Sequence, residues 1–189
     1  MKKIAIIVSL AASTLIASPA FADVGGGRAE VQVGYDHVTI DFGGTDFDQG
    51  GVYYGIAAGY DFALSPTVAF GVDLEAADST AKEQVTVAGV KERVAAGRDL
   101  YAGGRLTVAA SEKLNLYAKA GYTNARSKYI SETSNTKFVA NRNLDGFRVG
   151  AGAQYLMSAN TYVGAEYRYS NYEDDVSRNQ VIATVGYKF

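Results

Sequence analysis

Apolar and polar residues alternate with a period of two along most of this chain, and this pattern predicts β-strands. The clearest example is the last stretch, residues 181–189 (VIATVGYKF). Its odd-numbered residues fall on one face of an extended strand, and its even-numbered residues fall on the other. Because an extended strand cannot pair its own N–H and C=O groups, segments of this kind must assemble into a sheet.

Eight segments carry the pattern. The predicted strands cover residues 28–36, 52–62, 68–75, 100–108, 114–123, 147–155, 161–170 and 181–189. Short turns are predicted around Ser65, Ser111 and Ser158, and the same face resumes three residues on either side of each serine, which indicates hairpins in matching register. The long connections are predicted as loops at residues 41–51, 77–96, 124–145 and 171–179, and the second is compatible with a strand that prolongs its hairpin.

The start of the chain has the features of a secretory signal peptide. Two lysines precede an apolar core at residues 4–16, and Ala20 and Ala22 form a small-x-small cleavage site. The core is too short for a membrane-anchoring helix, which needs ~20 apolar residues. We therefore expect a signal peptide at residues 1–22, cleaved after Ala22, and a single domain at residues 23–189.

Composition narrows the class of the exported domain. The chain contains no cysteine, so disulfides cannot hold it together. Its 20 acidic residues slightly outnumber its 18 lysines and arginines, which argues against a nucleic-acid partner. Beyond residue 22 the sequence has no run of ~18 apolar residues, so the domain can span a membrane only as a closed β-barrel.

The two faces of the predicted strands differ as a membrane barrel requires. One face has no formal charge, and a lipid-facing Arg or Lys at mid-membrane would cost roughly 2 to 4 kcal/mol. The other face combines glycine with charges that can pair inside a narrow lumen, whereas a soluble barrel would turn its apolar face inward. The predicted lumen charge network comprises Glu30, Asp61, Asp73, Arg105, Lys119, Arg148, Glu166, Arg168 and Lys188, and Asp36 and Glu75 share that face.

Residues 162–169 (YVGAEYRY) and 185–189 (VGYKF) resemble the penultimate and closing strands of the small bacterial outer-membrane β-barrel family. This family includes the opacity-like and OmpA-transmembrane-like proteins, often called porin-family proteins. The resemblance covers residues 28–189. It implies an all-β fold: an eight-stranded antiparallel transmembrane β-barrel with short periplasmic turns and longer extracellular loops, in the Gram-negative outer membrane. It also implies an assembly signal formed by Val181, Ala183, Val185, Tyr187 and Phe189.

A structural or surface-exposed role in the cell envelope follows, because eight strands enclose little more than their own side chains. A narrow porin-like channel for small solutes is the alternative. The expected partners are outer-membrane lipid and lipopolysaccharide, the barrel-assembly machinery and periplasmic chaperones. We expect a monomer without a cofactor.

A lipid-modifying enzyme is a remote further alternative, since the single histidine, His37, and the pair Asp78 and Ser79 fall near the predicted outer rim. A charged lumen argues against this reading, because an acyl-chain pocket needs apolar walls. The acidic residues of the first and last loops match no complete calcium loop, so we expect no metal site. These residues are Asp41, Asp46, Asp48, Glu173, Asp174 and Asp175. The glycines at 25–27 have no phosphate-loop context and predict a flexible start to the mature chain.

Overall fold

The structure is a computed structural model that describes residues 24–42, 45–87, 90–133, 136–173 and 175–189. Within these ranges no helix has the length and apolar character needed to cross a membrane. The described strands are β1 (Gly26–Phe42), β2 (Thr45–Ser65), β3 (Val68–Ser79), β4 (Lys82–Val87), β5 (Val90–Ala109), β6 (Leu114–Thr133), β7 (Thr136–Leu156), β8 (Thr161–Tyr172) and β9 (Val176–Lys188).

All of these strands belong to one antiparallel sheet, in the order β3-β2-β1-β9-β8-β7-β6-β5-β4. An additional pairing between β3 and β5 closes the sheet into a barrel of eight strands and leaves β4 outside the ring. β4 follows β3 after a break at residues 80–81 and pairs with β5 beyond the barrel wall. The predicted eight-stranded antiparallel barrel is confirmed.

The last strand joins the two ends of the chain. β9 pairs with β1 from Lys188, opposite Arg28, to Val176, opposite Ile40. On its other side β9 pairs with β8, where Tyr187 lies opposite Thr161. The segment at residues 181–189 therefore closes the barrel by a continuous backbone ladder on both sides.

Each of the three short turns is built around the serine that marks it in the sequence. Ser111 Oγ accepts hydrogen bonds from the backbone N–H groups of Lys113 and Leu114, at 3.4 and 3.2 Å. The hydroxyls of Ser65 and Ser158 accept bonds of the same kind at 3.1 to 3.3 Å. These side chains satisfy backbone donors that the turn would otherwise leave unpaired.

At the opposite end of the barrel, strand pairing continues into the segments that were predicted as loops. β6 and β7 are 20 and 21 residues long, whereas a strand needs only ~9–11 residues to span a membrane. The fourth connection shrinks to residues 173–175. The ladder extends because each further pair of residues satisfies backbone N–H and C=O groups that would otherwise need water. As anticipated for the second connection, residues 82–87 prolong its hairpin by pairing with residues 90–95.

Side chains alternate between the lumen and the outer surface. In β9, Val181 and Val185 are 57 % and 58 % exposed, whereas Ile182 between them is 1 % exposed. The outward face of the other strands is similarly apolar, with Val33, Ile56, Leu74, Leu106, Val149 and Val163 all exposed. The lumen receives the polar side chains, and it is the candidate functional region.

Candidate functional site: the barrel lumen

Seven acidic and seven basic side chains are buried inside the described part of the barrel. The acidic ones are Glu30, Asp36, Asp61, Asp73, Glu75, Asp99 and Glu166. The basic ones are Arg28, Arg105, Lys119, Arg148, Arg168, Arg178 and Lys188. All nine residues predicted for the charge network are among them. The sequence prediction did not include Arg28, Asp99 and Arg178.

A lower group of charges lies toward the short turns. Arg28 and Arg105 both donate to Asp73, and the Arg105 Nε to Asp73 Oδ2 distance is 3.0 Å. Arg28 Nε also lies 3.4 Å from Asp61 Oδ2, and Arg105 Nη1 lies 3.6 Å from Glu30 Oε1. Two guanidinium groups therefore bridge three carboxylates across four strands.

The middle of the lumen is organised around Glu75. Its carboxylate accepts hydrogen bonds from Lys119, from Arg148 at 3.2 Å and from Arg168 at 3.0 Å. Glu166 adds a second carboxylate, 2.9 Å from Lys119 Nζ and 2.6 Å from Arg168 Nε. Buried charges are tolerated only when paired and hydrogen-bonded, and this cluster meets that condition.

An upper group contains two of the residues that the sequence prediction missed. Arg178 Nη2 lies 2.5 Å from Asp36 Oδ2, and its Nη1 lies 3.2 Å from Asp99 Oδ2. Arg148 reaches the same Asp99 oxygen at 2.5 Å, which joins the upper and middle groups. Continuing the alternation of β9 upstream from Ile182 would have placed Arg178 inside.

Buried tyrosines fill the space between the charges. Tyr162 donates to Glu30 Oε1 at 2.7 Å, and Tyr117 donates to Glu166 Oε2 at 2.7 Å. Tyr162 lies directly opposite Gly186 on the neighbouring strand, and a Cβ atom at Gly186 would overlap the tyrosine ring. Glycines on the inner face, Gly186 and Gly152, thus leave room for the rings of Tyr162 and Tyr117.

Above the charges, the lumen is closed by a cluster of apolar residues that we call the outer cap. The outer cap consists of Val38, Ala81, Ala125, Leu144, Tyr172 and Val176, all buried. Ile40 and Ala96 pack against it, and a cavity of only about 70 Å³ remains beside it. Among the described residues, this packing leaves little open space at the outer end of the lumen.

The enzyme candidates do not come together. Ser79 is buried in the lumen and donates to Asp36 Oδ2 at 2.6 Å. His37 lies on the outer face of β1, with Nε2 3.3 Å from Asp48 Oδ1. The barrel wall separates the two residues, so they cannot share one substrate.

No group of three or more potential metal ligands occurs among the described residues. Asp174 and the side chain of Asp46, two of the acidic residues considered as cation ligands, lie outside the described part.

A family model for the outer membrane protein β-barrel domain matches residues 8–189. The chain belongs to this family. A search of curated proteins found no match.

Similar solved structures agree with the assignment. One of them is Ail, the attachment invasion locus protein of Yersinia pestis, in complex with the heparin analogue sucrose octasulfate. It is 17 % identical in sequence, and the TM-score is 0.57 over 87 % of this chain and 99 % of that chain. Neisserial surface protein A is also 17 % identical, with a TM-score of 0.54 over 85 % and 97 %. OprG from Pseudomonas aeruginosa is 11 % identical, with a TM-score of 0.53 over 89 % and 99 %. At such low identity these likenesses show the fold alone.

As a member of the outer membrane β-barrel family, the protein lies in the outer membrane, with its short turns toward the periplasm and its long hairpins outside. Exposed aromatic residues occur near the periplasmic end, including the pairs Tyr60 with Phe62 and Tyr187 with Phe189. Such side chains suit the membrane interface. The predicted signal peptide at residues 1–22 lies outside the described residues, and its cleavage after Ala22 stays a prediction.

Proposed function

We propose that this protein is a structural, surface-exposed barrel of the outer membrane whose lumen does not conduct solutes. The observation that carries the proposal is the filling of the lumen. The largest side chains there are all less than 2 % exposed, and each makes a hydrogen bond or an ion pair with another lumen residue. They are Arg148, Arg168, Tyr53 and Tyr162. Because the wall separates His37 from Ser79, the proposal assigns no enzymatic activity.

The length of the hairpins supports a role at the cell surface. β6 and β7 extend roughly ten residues beyond the span that a membrane requires, since each has about 20 residues and needs ~9–11. Their outer halves pair with each other up to Thr133 and Thr136, and β5 pairs with β6 as far as Lys91. The outer part of the protein is therefore a continuous sheet that stands above the lipid.

The partners that fit this role follow from the surface of the barrel. Its apolar outward face suits the acyl chains of outer-membrane lipid and lipopolysaccharide. We propose that periplasmic chaperones and the barrel-assembly machinery recognise the segment 181–189 before it pairs with β1. A monomer suits the closed sheet, because closure satisfies both edges of every strand in the barrel wall.

Conductance in planar bilayers tests the closed lumen. The refolded protein should give no steady current. A steady current in the parent that changes with Arg168→Gln would contradict the proposal and support the narrow channel instead.

Epitope insertion tests the surface role. An epitope placed after Thr133 should be accessible to antibody on intact cells. The same epitope placed after Glu112, in a short turn, should be accessible only after the outer membrane is permeabilised. Equal accessibility at both sites would contradict the proposed orientation.

A further inference from the structure

The periplasmic mouth of the barrel contains a side chain that the wall does not supply. Val24 precedes β1 and is only 2 % exposed, because it packs against Ala69 and Ala109. Ala69 is near the start of β3 and Ala109 is the last residue of β5, and both are buried at the end of the barrel that carries the short turns. Val24 therefore sits within the mouth.

Gly26 makes this position possible. Its φ of 108° lies in a region that residues with a side chain rarely adopt. A Cβ atom there would lie 2.8 Å from the Phe189 carbonyl oxygen, at the point where Phe189 N donates to Gly27 O. The chain thus turns sharply at the seam between β1 and β9 and directs Val24 inward. Gly26, among the glycines at 25–27, therefore has a specific structural use in this turn.

Next to Ala69 and Ala109, against which Val24 packs, lie buried polar atoms that have no hydrogen-bond partner in the described part of the chain. Thr107 is the cross-strand partner of Ala69, and Asn115 is the cross-strand partner of Ala109. Both side chains are at most 3 % exposed, yet Thr107 Oγ1 and both polar atoms of Asn115 have no hydrogen-bond partner among the described residues. Asp61 Oδ1 lies toward the same end of the lumen and also has no hydrogen-bond partner among the described residues.

Buried polar groups in folded proteins are nearly always hydrogen-bonded, to protein or to ordered water. A buried water usually makes about three hydrogen bonds to groups of this kind. The atoms of Thr107, Asn115 and Asp61 supply both donors and acceptors. The Arg28 and Arg105 side chains lie above these atoms and connect the periplasmic end of the lumen to the charge network.

We propose that Val24 is a stopper that shuts a water-holding chamber, lined by Asp61, Thr107 and Asn115, off from the periplasm. The turn at Gly26 holds the stopper in place, and withdrawal of Val24 admits solvent to the floor of the lumen but not past Glu75 and its three cations. This inference concerns the periplasmic end alone and is independent of whether the outer hairpins meet a partner.

The absence of cysteine from the sequence makes the stopper testable with a single reporter thiol. In Thr107→Cys, a small water-soluble thiosulfonate should react slowly, because Val24 covers the chamber. Adding Val24→Gly should raise the labelling rate at least about tenfold, since the seated state loses the burial of a valine side chain. Val24→Leu, which keeps an apolar side chain, should leave the reporter protected.

Two further reporters separate local opening from loss of the fold. A thiol at Ser111, exposed in a short turn, should react rapidly with or without Val24→Gly. A thiol at Ala125, buried in the outer cap, should stay protected in both backgrounds. Equal labelling rates of Thr107→Cys in the parent and Val24→Gly backgrounds would overturn the proposal that Val24 closes the chamber.

The water is tested separately by magnetisation transfer between water and the side-chain amide of Asn115 in the parent protein. Transfer to Asn115 is the expected result. A dry Asn115 amide, with no transfer, would overturn the chamber.

Discussion

Arg178 and Asp36 are 142 residues apart in the sequence, yet Arg178 Nη2 donates to Asp36 Oδ2 at 2.5 Å inside the lumen. The pair spans the seam at which the last strand, β9, meets the first, β1. A slip of the ladder by two residues would keep the same face inward, and in one direction it would move Arg178 from its place opposite Val38 to a place opposite Ile40, farther from Asp36. This ion pair therefore opposes slippage of the closing strand in that direction.

Asp36→Asn should destabilise the folded barrel by about 3 kcal/mol, because it removes one partner of a buried pair and leaves Arg178 with only Asp99, which Arg148 also uses. The free energy of unfolding in lipid vesicles measures the effect. Asp48→Asn is the matched control, since Asp48 contacts His37 in an exposed pair and should cost less than about 1 kcal/mol. Similar losses in the two variants would contradict a special role for the seam.

A charge on the lipid face should be costly at mid-membrane. Ala118 is exposed on the outer surface, near the middle of the first ten residues of β6. Ala118→Lys should lower the free energy of unfolding in vesicles by about 2 to 4 kcal/mol. Ala110→Lys, in a short turn, should cost less than about 1 kcal/mol because the membrane interface tolerates the charge. Equal costs would show that Ala118 is not in hydrocarbon.

The turn serines should each contribute measurably to stability. Ser111→Ala removes the acceptor used by the backbone of Lys113 and Leu114 and should cost about 1 kcal/mol. Glu112→Ala, at the next position, which is also exposed, should change the free energy of unfolding far less. Chemical denaturation of the two variants side by side gives the comparison. If Ser111→Ala leaves the free energy of unfolding unchanged, the serine side chain does not stabilise the turn.

Phe189 should matter more for assembly than for the stability of the finished barrel. The residue is 77 % exposed, and its ring lies edge-on to Tyr187 at 5.2 Å, much as Phe62 lies beside Tyr60 at 4.9 Å. If residues 181–189 form an assembly signal, Phe189→Ala should reduce the fraction of protein that reaches the heat-modifiable, folded form in cells, and Phe62→Ala should not. Refolding into detergent should succeed for both. Equal assembly of the two variants in cells would count against the signal.

The membrane-spanning part of the fold was predictable from the sequence because each of its residues faces either lipid or the lumen. That choice imposes a strict period of two, and the serine turns fix the phase from one hairpin to the next. The lumen residues Glu30, Arg105 and Arg148 could therefore be placed inside from the pattern alone.

The outer part was less predictable, because beyond the lipid the requirement for an apolar outward face ends. Val38, Leu144 and Val176 then turn inward as apolar residues, whereas Asp41 and Asp48 point to solvent. The polar appearance of these segments indicated loops, although the backbone continues as strand. Asp99 was missed because the predicted strand began at Leu100, although continuing the alternation by one residue would have placed Asp99 inside with Tyr101.

The equal numbers of buried acids and bases have an electrical consequence. With seven of each, all held by the wall, the interior of the described barrel carries no net formal charge. A voltage across a membrane acts on charge, at about 2.3 kcal/mol per elementary charge per 100 mV. A neutral, cross-linked interior offers such a field no net charge to move.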